Sequence, residues 1–244
     1  MFGLIVVTLV GCDLFKAVDE KVKELTNNTV AQGIFLGVST DGVDLPDGVA
    51  FEPGAQSTGF VFDFESQENL AGVTAVFRSS SNGSVEMTQD ASGAFQASDL
   101  TYTPGERVDI VAQYEGERSL GIDTPEGADM EVPETHSANT DMRVPVTASA
   151  DAVLVVVMDQ AGNITYDTTP RDVQKLLDFA LADAPDTVTI PGSAFPTSGQ
   201  GYLVGIAPMR RSTDEEIVNL NVLGSTFWAG LLEFYPVFIP PGGR

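Results

Sequence analysis

The sequence predicts a mainly β protein of antiparallel sandwich layers, with helix confined to two short stretches. Three observations carry this. Short runs alternate apolar and polar residues with a period of two, the mark of strands that bury one face. Turn residues separate those runs, with 24 Gly and 14 Pro spread along 244 residues. The third is an unbroken apolar run, Val153-Leu154-Val155-Val156-Val157, of the kind buried on both faces of a sheet. Hydrophobic residues make up 43% of the chain and charged residues 19%, a balance that supports folded cores. The length suits one large or two modest β units. The expected division is a first module over residues 33–120, a polar linker or loop over 121–141, and a second module over 142–244.

The chain opens with an uncharged apolar run over residues 1–10. A transmembrane helix needs roughly 20 such residues, whereas a signal-peptide core needs about 7 to 15. Leu9, Val10, Gly11 and Cys12 follow. This quartet resembles the lipobox of bacterial lipoproteins, in which a small residue precedes the cysteine. The resemblance implies cleavage after Gly11, a diacylglyceryl group on the Cys12 sulfur, and membrane attachment through acyl chains. A thiolate is the nucleophile such a transfer needs, and each buried methylene adds about 0.8 kcal/mol to the anchor. No Lys or Arg precedes the run, and a start further upstream would supply them. Asp13 resembles the inner-membrane retention residue of enteric lipoproteins.

Residues 13–25 read as a helix, because Leu14, Phe15, Val18, Val22 and Leu25 share one face. Asn27 and Asn28 are suited to close it. With the tether that follows, it fills residues 12–32. Strands are then expected at 33–38, 58–64, 72–78, 84–89, 94–97 and 108–114. Asn82-Gly83 is a hairpin signal between the third and fourth. Beyond the polar stretch 115–141, strands are expected at 142–147, 152–158, 164–167, 187–190, 202–207 and 226–239. A second helix is signalled near 170–183 by Pro170 at its first turn and by Val173, Leu176, Leu177, Ala180 and Leu181 on one face. The aromatic-rich residues 226–239 are expected in the core.

Two further resemblances rest on particular residues. Ala71-Gly72-Val73, Asp90-Ala91-Ser92-Gly93-Ala94-Phe95 and Pro104-Gly105-Glu106-Arg107-Val108 resemble the carboxypeptidase-regulatory or transthyretin-like modules of secreted proteins. That likeness covers about a quarter of the chain and implies immunoglobulin-like sandwiches without catalytic residues. The second half runs from the valine-rich strand through Asp159 to Asn163, the Pro170 helix, Ile190-Pro191-Gly192-Ser193-Ala194-Phe195 and Gly201-Tyr202. It is similar to uncharacterised lipoproteins of myxobacteria and related groups, which implies a location and no activity.

Charge narrows the partners. Thirty-five acidic residues face 12 basic ones, for a formal charge of -23. Nucleic acid is excluded as an expected ligand, since such binding neutralises phosphates with Lys and Arg. Attraction to anionic lipid headgroups is disfavoured for the same reason, so the expected membrane contact is the lipid itself. The single cysteine, Cys12, rules out an internal disulfide. The single histidine, His136, lies in the polar stretch, where a solvated loop is expected in place of a zinc cage or a Ser-His-Asp triad. No glycine-rich phosphate loop is present. Asp41, Asp44 and Asp47, with neighbouring glycines, form a loop able to offer oxygens to calcium, though without the EF-hand pattern. The reading is a non-enzymatic envelope module that binds a protein or glycan, adheres, or supports structure, with no cofactor unless calcium. The alternatives are a carboxylate-based hydrolase and a calcium-stabilised adhesin.

Overall fold

A computed structural model describes residues 28–40, 42–43, 54–63, 65–66, 68–127, 130–146, 149–169, 186–221 and 224–241. The protein is mainly β. The strands are β1 (Thr29–Ser39), β2 (Gly54–Asp63), β3 (Thr74–Ser79), β4 (Gly83–Gln89), β5 (Phe95–Leu100), β6 (Arg107–Gln113) and β7 (Glu117–Asp123). They continue with β8 (Met142–Pro145), β9 (Ala152–Asp159), β10 (Ile164–Asp167), β11 (Thr187–Ile190), β12 (Gln200–Arg211), β13 (Ile217–Val218) and β14 (Thr226–Ile239). Short 3-10 turns occupy Gly192–Ala194 and Asp214–Glu216. The helices expected at 13–25 and 170–183 lie outside the described residues, as do Gly11, Cys12 and the aspartates Asp41, Asp44 and Asp47.

Among the described residues, twelve strands join in the order β10-β9-β12-β14-β1-β2-β5-β4-β3-β6-β7-β13, and β8 pairs with β11 in a small second sheet. The large sheet folds back on itself at β4. That strand meets β5 through only Thr88 and Gln89 but meets β3 through five residue pairs, so it turns the corner between two layers. The layers close over Phe35, Val61 and Phe227 on one side and Phe77, Ile110 and Leu120 on the other. Each such side chain removed from water contributes about 1.5–3 kcal/mol.

Alternation along the strands decides which face each residue serves. On β1, Ala31 and Phe35 point to that first core, while Val30, Leu36 and Val38 join Phe60, Leu154, Met209, Trp228 and Leu232 on the opposite face. Both faces of β1 are therefore buried, which explains its apolar run from Gly33 to Val38. A third core lies on the same sheet face as the first, further along. There Val155, Val157, Val204, Ile206 and Val237 pack beneath Met142, Val144, Val188 and Ile190 of the β8–β11 sheet. One broad sheet thus carries two covers side by side.

The seam of this sheet is the pairing of β1 with β14, which is parallel, from Gln32 opposite Thr226 to Ser39 opposite Glu233. Among the described strands it is the one parallel pairing, the others being antiparallel. Polar ties fix its start: Ala31 N donates to Ser225 Oγ at 3.1 Å and Asn221 N donates to the Thr29 carbonyl at 2.8 Å. Gly37 permits the Tyr102 ring to lie flat on β1, since a Cβ there would stand 2.6 Å from the ring. Tyr102 in turn stacks on Phe35, with centroids 5.3 Å apart. Strands from both sides of residues 121–141 share this sheet. Within that segment, Gly121 to Asp123 belong to β7, Met130 is buried, and its N–H donates to the Tyr235 hydroxyl at 3.2 Å.

Candidate functional site

The far end of β9, β12 and β14 carries an open cleft of about 520 Å3. Its lining includes Glu134, Gln160, Gly201, Leu203, Pro236 and Phe238. The register explains the arrangement. Gly201 stands opposite Phe238, Leu203 opposite Pro236, and Met158 next to Leu203, so these residues share one face at the end of the sheet. Because Val237 and Ile239 point into the third core, the period of two turns Pro236 and Phe238 outward. Phe238 is 46% exposed, and the same face continues to Ile164, which is 39% exposed. A Cβ at Gly201 would meet nothing within 4 Å, so a shallow recess opens beside the Phe238 ring.

The floor is held firmly. Beyond Ser39, where β1 ends, β14 would present an open edge. Phe238 N instead donates to the Glu134 carbonyl at 2.8 Å, and His136 N donates to the Phe238 carbonyl at 3.0 Å. Pro236 has no N–H to leave unpaired on that edge. Covering and proline both blunt a strand edge that would otherwise recruit another chain. Behind the floor, Tyr202 is fully buried, donates to the Thr197 carbonyl at 3.2 Å, and accepts from Thr197 N at 3.0 Å and Gln200 Nε2 at 2.8 Å. Its ring meets Phe195 edge-on, and Phe195 meets His136 the same way.

His136 therefore has a fixed place where a solvated loop was expected. It is half-buried against Phe195, and Nε2 donates to the Thr140 carbonyl at 2.8 Å. Its role in this geometry is to pin residues 134–140 beside β14.

On the other side of the cleft, Gln160 is presented by the β9–β10 hairpin. Asp159 organises that turn by accepting from Ala161 N and Asn163 N, both at 2.9 Å, and from Asn163 Nδ2. The Asn163 side-chain amide, followed by these backbone bonds, holds the Asp159 carboxyl below its ordinary range. The same economy recurs elsewhere. Asp63 is lowered by the Ser66 and Glu65 amides and the Ser66 hydroxyl, and Asp90 by the Ser92 hydroxyl and nearby amides. For Glu106, burial acts to raise the pKa and is outweighed by bonds from Ser81, Ser80 and Ser79. These four carboxylates are kept ionised to hold turns, the reverse of the upward shift a general acid requires. Burial pushes the Tyr102 phenol well above its ordinary range, with the Glu233 charge adding to the effect, so it stays protonated and donates to the Pro125 carbonyl at 2.7 Å.

Among the described residues, no three His, Cys, Asp or Glu side chains gather as a metal site. The residues singled out for lipidation, cleavage and calcium lie outside the described set. The cleft joins residues the sequence had placed apart: Glu134 in the polar stretch, Gln160 in a turn and Phe238 in an expected core strand. Most of that strand is indeed core, including Phe227, Trp228, Leu232, Phe234, Val237 and Ile239. The outward pair was marked only by alternation with Val237 and Ile239.

No protein-family model matches the chain, and no curated protein matches it. Among solved structures, it is similar to Tp47, the 47-kilodalton lipoprotein of Treponema pallidum, with a TM-score of 0.32 and 9% identity over 81% of this chain and 50% of that one. It is similar also to the adhesin InvE of Yersinia pseudotuberculosis, with a TM-score of 0.26 and 13% identity over 84% of this chain and 58% of the other. The chain thus spans about half the length of these neighbours. Superpositions this loose carry neither a site nor an activity across. Among the described residues, no helix is long and apolar enough to cross a membrane.

Proposed function

We propose that this chain is a cell-envelope lipoprotein, anchored through Cys12, whose β body is a non-enzymatic binding or adhesion module. The Phe238 cleft is its recognition surface. The observation that carries the reading is an aromatic side chain left 46% exposed on a sheet end whose edge, backing rings and flanking turn are all fixed by hydrogen bonds. Rigid aromatic anchors beside apolar recesses are where binding energy concentrates at protein surfaces. The lipobox-like Leu9-Val10-Gly11-Cys12 supports the address.

Affinity capture from intact envelopes tests the reading, with the full chain and its Phe238→Ala variant as baits. Components retained by the first and lost by the second are expected. Turnover of a glycoside, ester or peptide library by the purified chain, abolished by changing a carboxylate pair, would replace it with a hydrolase.

A further inference from the structure

The cleft also indicates what kind of partner it takes. Its lining combines the exposed Phe238 ring, the apolar Leu203 and Pro236, the amide of Gln160 and the acid Glu134. Among the described residues, no Lys or Arg lines it. Asp159 precedes Gln160 and stays ionised through its turn bonds. The whole chain adds a field of -23. An aromatic face attracts a guanidinium or ammonium, best where a carboxylate stands near. A strongly single-signed field speeds the approach of the opposite charge and repels its own.

Resting on the reading of the cleft as a binding surface, we infer that it docks a basic, partly apolar peptide segment of a partner protein. A Lys or Arg of that segment lies over Phe238, its aliphatic stem fills the recess above Gly201, and Gln160 meets its backbone. The choice among occupants follows from charge complementarity. An anionic polymer is repelled, and a neutral sugar, whose hydroxyls can donate to Glu134, draws nothing from the chain's field of -23.

The test titrates the full chain with a short synthetic peptide alternating arginine and leucine, with its glutamate-for-arginine counterpart, and with a neutral oligosaccharide. Binding of the first alone is expected, weakening as salt rises. Phe238→Ala should weaken it about tenfold or more and Glu134→Gln about threefold. Glu86→Gln, which removes an exposed charge from β4, should leave it unchanged. Phe238 is exposed, so its variant should keep the wild-type melting temperature and show that the fold is intact. Equal affinity in all three variants would mean diffuse attraction and would overturn the inference. Oligosaccharide binding that Phe238→Ala abolishes, without peptide binding, would overturn the partner class and leave the cleft as the binding surface. Envelope components captured equally by wild type and Phe238→Ala would overturn the underlying reading as well.

Discussion

Ser57 should be replaceable by Ala with a gain in stability. It sits on β2 opposite Phe35 of β1 and Ala97 of β5, on the face that forms the first core, and is 0% exposed. Its Oγ has no hydrogen-bond partner among the described residues. A buried hydroxyl without a partner costs about 1–3 kcal/mol relative to one in water. Removing the oxygen leaves a void of about 15 Å3, which at about 24 cal/mol per Å3 costs roughly 0.4 kcal/mol. The balance favours Ala by about 1 kcal/mol, and the melting temperature should rise by about 2–4 °C in a chain of this size. The assay is urea unfolding followed by circular dichroism, with the slope unchanged so that the midpoint reports stability alone. A loss of 1 kcal/mol or more would refute the reasoning, because it would show that the hydroxyl makes a bond worth keeping.

Three other outcomes are expected. Gly192→Ala should lose about 1–3 kcal/mol, because a Cβ would stand 2.5 Å from the Asn139 carbonyl carbon and 2.7 Å from Thr140 N, both backbone atoms; thermal melting checks it. Asp159→Ala should lower the melting temperature at neutral pH. The folded Asp159 pKa lies below its ordinary 3.8, so its contribution is full above that value and lost as pH falls through the folded pKa. The gap between wild type and variant should therefore hold from pH 7 to about pH 5 and close below about pH 4. Finally, calorimetry should show one cooperative transition, since β1 and β14 share a seam and Ile217, Leu220, Phe227 and Ala229 enter the core of the N-terminal strands; two separated peaks would contradict this.

Much of the strand layout was legible because alternation is a local signal. Residues 33–38, 84–89, 152–158 and 226–239 were all readable as strands, and Asn82-Gly83 does turn the chain between β3 and β4. β7 was hidden, since Glu117–Asp123 shows only Leu120 and Ile122 as large apolar residues among charges. Its Arg118 reaches the Asn219 carbonyl and a Tyr114 ring instead, contacts that no periodicity announces. β13 is two residues long and has no pattern to read. The parallel seam was illegible for a different reason, because pairing Gln32 with Thr226 depends on register between segments nearly a chain length apart. The cleft shares that difficulty. Gln160, Gly201 and Phe238 meet only once β9, β12 and β14 are aligned, and Phe238 resembles its buried neighbours in composition.

Recognition at the end of β14 is tested most directly by placing a photo-crosslinking amino acid at Phe238 in living cells. The matched control carries it at Val218, a similarly exposed apolar residue on β13. Illumination should join a partner to position 238 and none to position 218. Adducts at 218 alone, or none at either site, would contradict the account.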